Sequence, residues 1–587
     1  MAPSAHRDDI DWLRAVAVLS VCFFHWHVSP FRGGYVGVDV FFVVSGFLIT
    51  RIIQSEVRQG TFSFAQFYER RVRRLLPALY VMIALVVLAS FFLLMPIERR
   101  DLFKSVIATV TFTSNIFFWR QSGYFEASAD EKLLLHTWSL SVEEQFYLVL
   151  PVIIWFLARL QARRLSQAPL VPLALGALTL ASFAAGYRLV ETEQVTSAFF
   201  LSPPRAWEFL LGSLVSLKGV PTLRNIHLQR MGRIVGLALI LTAVFGYRNA
   251  TPFPGINALL PCLGAAIYLW SGISGPAVLR WRWSPVHVAN FFGRISYSLY
   301  LWHWPLIIYA RFLKPSLSLN AYDVAMVAAS AVFLSYLSYR FVEQPVRRQT
   351  LIRGTGPAFR FAAVTTAVFI LAGVAGIFAP QGVTDKDDAL LQSYMNYDYH
   401  DLYEVDRCFR PGSNAPIDED CLRILPNRGN ILMWGDSAAA QYVHGLRATL
   451  DANNTNIILT WIGTCFATLD SPAHDTSRCA AMSRAIDNWI QHARPDLVII
   501  GGFWSSYVAK QGFDGMTDSL LRTAAALKAR GIPLLIIGPS VTYRGRLPMM
   551  LLRARSRNIV LTENDIVESS VFVLDRKMKE KFSSRDG

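Results

Sequence analysis

Charged residues are scarce, 17% of the 587 positions against 53% hydrophobic. A chain so apolar is excluded from the ordinary soluble enzymes and is expected in a membrane. A basic face is lacking as well. The net charge of +15 is spread over short loops between apolar segments, which excludes a nucleic-acid role and follows the positive-inside pattern instead. No cleavable signal peptide is expected, because the first apolar segment carries Asp11, Arg14, His25 and His27 and leads directly into a second. No matching halves with midplane Gly or Pro breaks are found, which argues against the alternative of a multi-pass transporter or exporter of an envelope component.

Long apolar runs are present, among them Leu75 to Met95, Val142 to Leu160 and Phe361 to Pro380, each about the length a helix needs to cross a bilayer. They stop at Gln381. Placing every basic loop on one side requires eleven spans, near 10–29, 36–53, 76–95, 142–158, 168–187, 204–217, 233–248, 255–272, 295–313, 321–340 and 361–380. The odd count puts the N-terminus in the cytoplasm and the polar C-terminal region outside. The stretch Leu102 to Trp119 must then not cross. It is read as re-entrant or interfacial, in keeping with its Thr109, Thr111, Thr113, Ser114 and Asn115, and a true span is the alternative.

Cysteine is sparse, six in all. Cys22 and Cys262 fall in spans and read as small buried apolar residues. Cys408, Cys421, Cys465 and Cys479 lie in the outer region, where two disulfides are expected. Three pairings are possible, and proximity favours Cys408 with Cys421 and Cys465 with Cys479.

Ionisable residues inside spans are costly and mark functional sites. Arg14 and His25 are eleven residues apart, which returns to within about 20° of one helix face and separates them by about 16 Å. They are therefore expected to line one cavity at two depths. Arg14 suits a phosphate-bearing donor, and His25 suits a general base. Asp39 and His27 strengthen that polar reading. Glu143 and Glu144, at the start of a span, form a second constellation in which Glu143 could serve a helix dipole or a polar site.

The run Asp11-Trp12-Leu13-Arg14 through His25, with Gly37-Val38-Asp39-Val40-Phe41-Phe42, resembles the opening of the membrane acyltransferase-3 family of O-acyltransferases. The match lies in the subgroup fused to a periplasmic SGNH-type domain, which includes O-antigen acetylases. Arg71-Val72-Arg73-Arg74-Leu75-Leu76-Pro77, Trp138 to Tyr147, Ile295 to Leu306 with His303, and Glu343-Gln344-Pro345 resemble four further motifs of that family. The resemblance implies that His25 is the essential base, that Arg14 helps hold an acyl-CoA donor, and that Glu143 is required. Arg71 and Arg74 join Arg14 as donor-binding candidates. Asp39 and His303 are further polar membrane-site candidates.

Beyond the last span, apolar runs Asn430 to Trp434, Asn456 to Ile462, Asp496 to Gly501 and Pro533 to Gly538 alternate with helical stretches, which predicts a parallel sheet flanked by helices. Gly435-Asp436-Ser437 at the end of the first run resembles the first block of SGNH hydrolases and makes Ser437 the candidate nucleophile. Gly501-Gly502-Phe503-Trp504 stands where that family carries an asparagine, and no histidine follows His492. The expectation is a domain incomplete before its last Asp/His block, with His444 and His474 as the alternative partners.

The fold expected is thus a multi-pass α-helical membrane domain of about eleven helices followed by an α/β SGNH-like domain. The expected boundaries are 1–345 for the acyltransferase part, 346–385 for a linker holding the last span, and 386–587 for the outer domain. The resemblance implies a bacterial inner-membrane enzyme that moves an acyl group, usually acetyl, from acetyl-CoA or another acyl-CoA to an envelope carbohydrate. Lipopolysaccharide O-antigen, exopolysaccharide and peptidoglycan are the open acceptors. No metal and no resident cofactor are expected.

Overall fold

In a computed structural model, residues 7–583 are described apart from 123–130, 163–168, 193, 249–250, 274–284, 315–316, 380–389, 391–392, 395–403, 405–406, 411–418, 451–453, 463–464 and 471–477. The chain divides into two units, residues 1–314 with 318–382 and residues 383–587 with 315–317. Each is described by itself.

The first unit is helical: α1 (Asp8–His25), α2 (Gly37–Arg58), α3 (Phe64–Leu93), α4 (Pro96–Val110), α5 (Ser114–Arg120), α6 (Thr137–Ala162), α7 (Leu170–Glu191), α8 (Val195–Phe200), α9 (Ala206–Val215), α10 (Ile226–Gly246), α11 (Leu259–Ser271), α12 (Pro285–Leu313), α13 (Ala321–Leu337), α14 (Gln344–Arg347) and α15 (Thr355–Phe378). Seven helices among the described residues are long and apolar enough to cross a membrane. Many of their large apolar side chains point outward, as Phe92, Leu180, Leu371 and Phe378 do, which suits a lipid environment.

Four of the eleven expected spans are not among those seven, each for a visible reason. Helix α1 carries three aspartates in its first turn. Helix α9 has 10 residues, the apolar helix over Gly255–Ser271 is short, and α12 is interrupted by His287, Arg294, His303 and Arg311.

The stretch expected not to cross is two helices, α4 and α5, broken where Phe112 takes φ 53°. Its polar residues bind α6. Thr109 Oγ1 lies 3.0 Å from Thr137 Oγ1, Ser114 Oγ 2.7 Å from Ser141 Oγ, and Gln145 Nε2 donates to Asn115 Oδ1 at 2.9 Å. Lipid offers no such partners, so these side chains turn inward.

Small residues permit the close helix crossings. A Cβ on Gly46 would lie 1.8 Å from the Phe209 carbonyl oxygen, and one on Gly212 would lie 2.0 Å from that of Val43. Helices α2 and α9 therefore meet backbone to backbone.

The second unit holds a five-stranded parallel sheet in the order β1-β3-β2-β4-β5, with β1 (Phe409–Arg410), β2 (Gly429–Gly435), β3 (Thr455–Ile462), β4 (Leu497–Gly501) and β5 (Leu534–Ile536). Four of these strands lie on the expected runs. The two-residue β1 is too short to leave a periodic signal. Leu432, Ile458, Val498 and Ile500 pack with Ile486, Trp504 and Leu520 of the flanking helices in one core.

Disulfides join Cys408 to Cys421 and Cys465 to Cys479, the pairing that proximity favoured, while Cys22 and Cys262 are buried and free. Thiol labelling of the intact protein is therefore expected to find the four outer cysteines blocked until a reductant is added. Ready labelling without reductant would exclude both bonds.

Candidate active site

Arg14, on α1, lines a cavity of about 800 Å³ in the membrane unit. Six arginines reach its wall, Arg14, Arg70, Arg71, Arg73, Arg74 and Arg347, against two glutamates, Glu69 and Glu143. Their surroundings distinguish them. Arg70 pairs with Glu56 at 2.8 Å, and Arg347 with Glu343 at 3.0 Å. Arg73 pairs with Glu69 at 2.8 Å and donates to the carbonyls of Ile352 and of Gly354, the latter at 2.8 Å, clasping the segment after α14 onto α3. Arg14 has only a loose contact with Asp11 at 3.7 Å. No carboxylate is paired with Arg74 among the described residues, and its charged neighbours include Arg14, Arg71 and Arg347. Arg74 and Arg14 are thus the wall arginines least engaged with carboxylates.

Arg71 is held differently. It lies 3.2 Å from Glu144 and 3.8 Å from Glu143, and its guanidinium stacks 3.8 Å from the centre of the Tyr147 ring. Glu143 also accepts hydrogen bonds from Ser45 Oγ at 2.5 Å and from the Tyr147 hydroxyl. Glu143 sits in the second turn of α6, beyond the N-terminal turn where a helix dipole acts, so the dipole does not explain it. These contacts all fall on Oε1, which suits a residue that orients Arg71.

His25 is not on the wall of this cavity, contrary to the expectation of one cavity at two depths. It ends α1, which packs along α12, and its ring turns onto that helix. Nδ1 of His25 lies 3.0 Å from Nε2 of His303, with His136 close by, its ring centre 5.8 Å from that of His303. Tyr300 and Ser139 join the two sites. Both line the cavity, their hydroxyls are 2.6 Å apart, the Tyr300 hydroxyl donates to the His136 carbonyl at 2.9 Å, and the Tyr300 carbonyl is 2.7 Å from His303 Nδ1. His27 contacts Arg311 at 2.6 Å.

Asp39 also departs from expectation, since it belongs to neither group. It is fully buried and binds Arg205 at 2.9 Å, while Arg205 lies 3.0 Å from Glu208. The guanidinium is boxed by Phe42, Trp138, Phe199 and Phe253, each 5.5–5.7 Å away. The thiol of Cys262 completes a set of possible metal ligands with Asp39 and Glu208, but the guanidinium already sits on both carboxyls. Asp39 is thus one side of a closed ion cluster. Sequence reading missed Arg205 and Glu208, and the signal was an Arg–Glu pair at i,i+3 opening an apolar stretch.

In the second unit Ser437 stands half-buried at the turn from β2 into the short helix Ser437–Ala440, as its motif implied. Asp436 is sealed beside it. Its carboxylate accepts from the backbone N–H of Ala438 and of Phe503, both at 2.8 Å, and from the Tyr507 hydroxyl. Burial pushes this carboxyl above the usual carboxylate range, against those hydrogen bonds. Asp436 therefore latches the end of β2 to the end of β4, where Trp504 fills the core and donates to the Ile537 carbonyl at 2.9 Å. His444 is exposed, and His474 lies outside the described residues.

The chain matches the acyltransferase domain family over residues 7–340 and the SGNH domain fused to such domains over residues 407–583. Similar proteins include the putative membrane-bound transacylase BcsY of Komagataeibacter xylinus, 32% identical over 380 residues, 64% of this chain and 93% of that protein. The peptidoglycan O-acetyltransferase OatA of Listeria monocytogenes is 30% identical over 354 residues, 58% of this chain and 56% of its own length. The O-acetyltransferase OatA of Staphylococcus aureus is 29% identical over 353 residues, 58% of this chain and 57% of its own. The chain thus spans nearly all of BcsY and just over half the length of the OatA proteins. No solved structure matches it. With more than half of its residues inside the family match, and the motifs around Arg14, His25, Arg71, Glu143 and His303 set in one helical unit, the chain belongs to the acyltransferase family in its SGNH-fused form and is an enzyme that transfers acyl groups.

Proposed function

We propose that this protein is an inner-membrane O-acyltransferase that moves an acyl group, acetyl by preference, from cytoplasmic acyl-CoA to a hydroxyl of an envelope polysaccharide. The observation that carries this reading is the arginine-lined cavity, with Arg74 and Arg14 on its wall, the first paired with no carboxylate among the described residues and the second only loosely, with Asp11 at 3.7 Å. Such a wall suits a polyphosphorylated donor. The histidine pair beyond Tyr300 supplies the base. A polysaccharide acceptor is supported by the peptidoglycan O-acetyltransferase among the similar proteins.

In this scheme the thioester end of the donor extends from the arginine cavity past Tyr300 and Ser139 to His25, whose Nε2 takes the proton of the acceptor hydroxyl as its oxygen attacks the thioester carbonyl carbon. The new C–O bond forms, the C–S bond breaks, and the proton passes to the departing thiolate, leaving an ester and free CoA. Glu143 acts through Arg71. Ser437 of the SGNH unit serves the acceptor side, orienting the glycan or receiving the acyl group. The proposed topology has eleven crossings, the seven apolar helices plus those at α1, α9, α11 and α12, with residues 386–587 outside. Residues 1–345 form the acyltransferase part and 346–385 the linker with the last span.

The test is acyl transfer by the purified full-length protein from acetyl-CoA to a soluble glycan fragment, followed by mass spectrometry. Arg74→Ala should raise the KM for acetyl-CoA with little change in kcat. Losing one hydrogen-bonding charge costs about 1.5–3 kcal/mol, or roughly ten- to a hundredfold. An unchanged KM would remove the donor from this cavity.

A further inference from the structure

We infer that His303 is a positioning residue that holds neutral His25 in the Nδ1–H tautomer, leaving the Nε2 lone pair of His25 as the proton acceptor. The inference rests on the reading of His25 as the base. It begins at a backbone carbonyl. Tyr300 O can only accept, and it lies 2.7 Å from His303 Nδ1, so that nitrogen carries the hydrogen. In a neutral imidazole the other nitrogen is then an acceptor. His303 Nε2 therefore presents a lone pair to His25 Nδ1 at 3.0 Å, and His25 Nδ1 must be the donor. The opposite tautomer of His25 would set two lone pairs face to face at that distance.

Packing holds the ring in this orientation. The two imidazoles are nearly parallel, 19° apart with centres 5.2 Å apart, and Trp304 meets His25 edge-on at 4.6 Å. Trp304 is itself anchored by its indole N–H to the Lys132 carbonyl at 2.8 Å. His303 is fully buried, whereas His25 is partly exposed, and His25 Nε2 makes no hydrogen bond among the described residues. A helix carbonyl thus fixes one tautomer, which fixes the next, and the chain ends in an available lone pair. This is the work a carboxylate performs beside a catalytic histidine, done here without a second charge.

Two variants and one spectrum test it. His303→Phe keeps the volume and removes the acceptor, and should lower kcat about 10- to 100-fold with the KM for acetyl-CoA unchanged. His303→Gln restores an acceptor oxygen near the Nε2 position and should recover most of that loss. Wild-type kcat in His303→Phe, or His303→Gln as inactive as His303→Phe while both run monodisperse in detergent, would overturn the inference. Nitrogen-15 NMR of histidine-labelled wild-type protein needs no variant to fold at position 303. With the His25 signals assigned by their loss in His25→Ala, Nδ1 should be the protonated nitrogen, and protonation at Nε2 would overturn the inference. Full activity in His25→Ala would instead defeat the reading of His25 as base, whatever its tautomer.

Discussion

His25→Ala is expected to lower glycan acylation by about 10²–10⁴-fold, the usual cost of losing a general base, while leaving expression and membrane insertion unchanged. The side chain is partly exposed at the end of α1, and its hydrogen bond is the one to His303, so truncation opens little of the core. The measurement is ester content of envelope glycan at matched protein level, with the purified protein as a second assay. Ser437→Ala in the same assay separates the two units. A mild loss is expected, because Trp504 and Phe503 occupy the β4 end where the SGNH family places an asparagine, and because His444, an alternative partner, is exposed. A complete loss would mean that the acyl group passes through Ser437. Wild-type acylation by His25→Ala would remove the base from the mechanism.

What the sequence disclosed follows from periodicity and cost. The eleven-residue spacing of Arg14 and His25 was legible because a helix repeats every 3.6 residues and a charge in lipid demands a reason. The polar cluster Thr109, Ser114 and Asn115 was legible as something other than a lipid-facing span, and its bonds to α6 are that reason. The sheet was legible because buried parallel strands read as short apolar runs between helices. Partner choice was not legible. Arg71 meets Glu144 across 73 residues, His25 meets His303 across 278, and no local pattern encodes either. The separation of His25 from the arginine cavity was hidden for the same reason, since it depends on Tyr300 of α12 and Ser139 of α6 meeting between them.

Arg205→Met is the substitution expected to damage the fold most. Arg205, Asp39 and Glu208 are each about 1% exposed or less, and the guanidinium is the one cation set against both carboxyls in that cluster. Removing one partner of a buried ion pair costs about 3–5 kcal/mol, because the charge left behind has neither water nor counterion. Here two carboxyls would be left. Methionine fills the volume among Phe42, Trp138, Phe199 and Phe253, so cavity formation contributes little and the loss reports electrostatics. The expected outcome is a protein that extracts as aggregate, where Arg74→Ala extracts as a single species at wild-type yield. The cluster ties α2 to α9 at the crossing that Gly46 and Gly212 make possible, so loss of the cation should loosen that crossing and the α2 segment carrying Ser45. A triple variant, Asp39→Leu with Arg205→Met and Glu208→Leu, should recover extractable protein, since well-packed apolar groups can replace a buried ion cluster at little cost. Size-exclusion profiles of the three proteins in one detergent decide it, and a monodisperse Arg205→Met protein at wild-type yield would show that the cluster does not hold the fold.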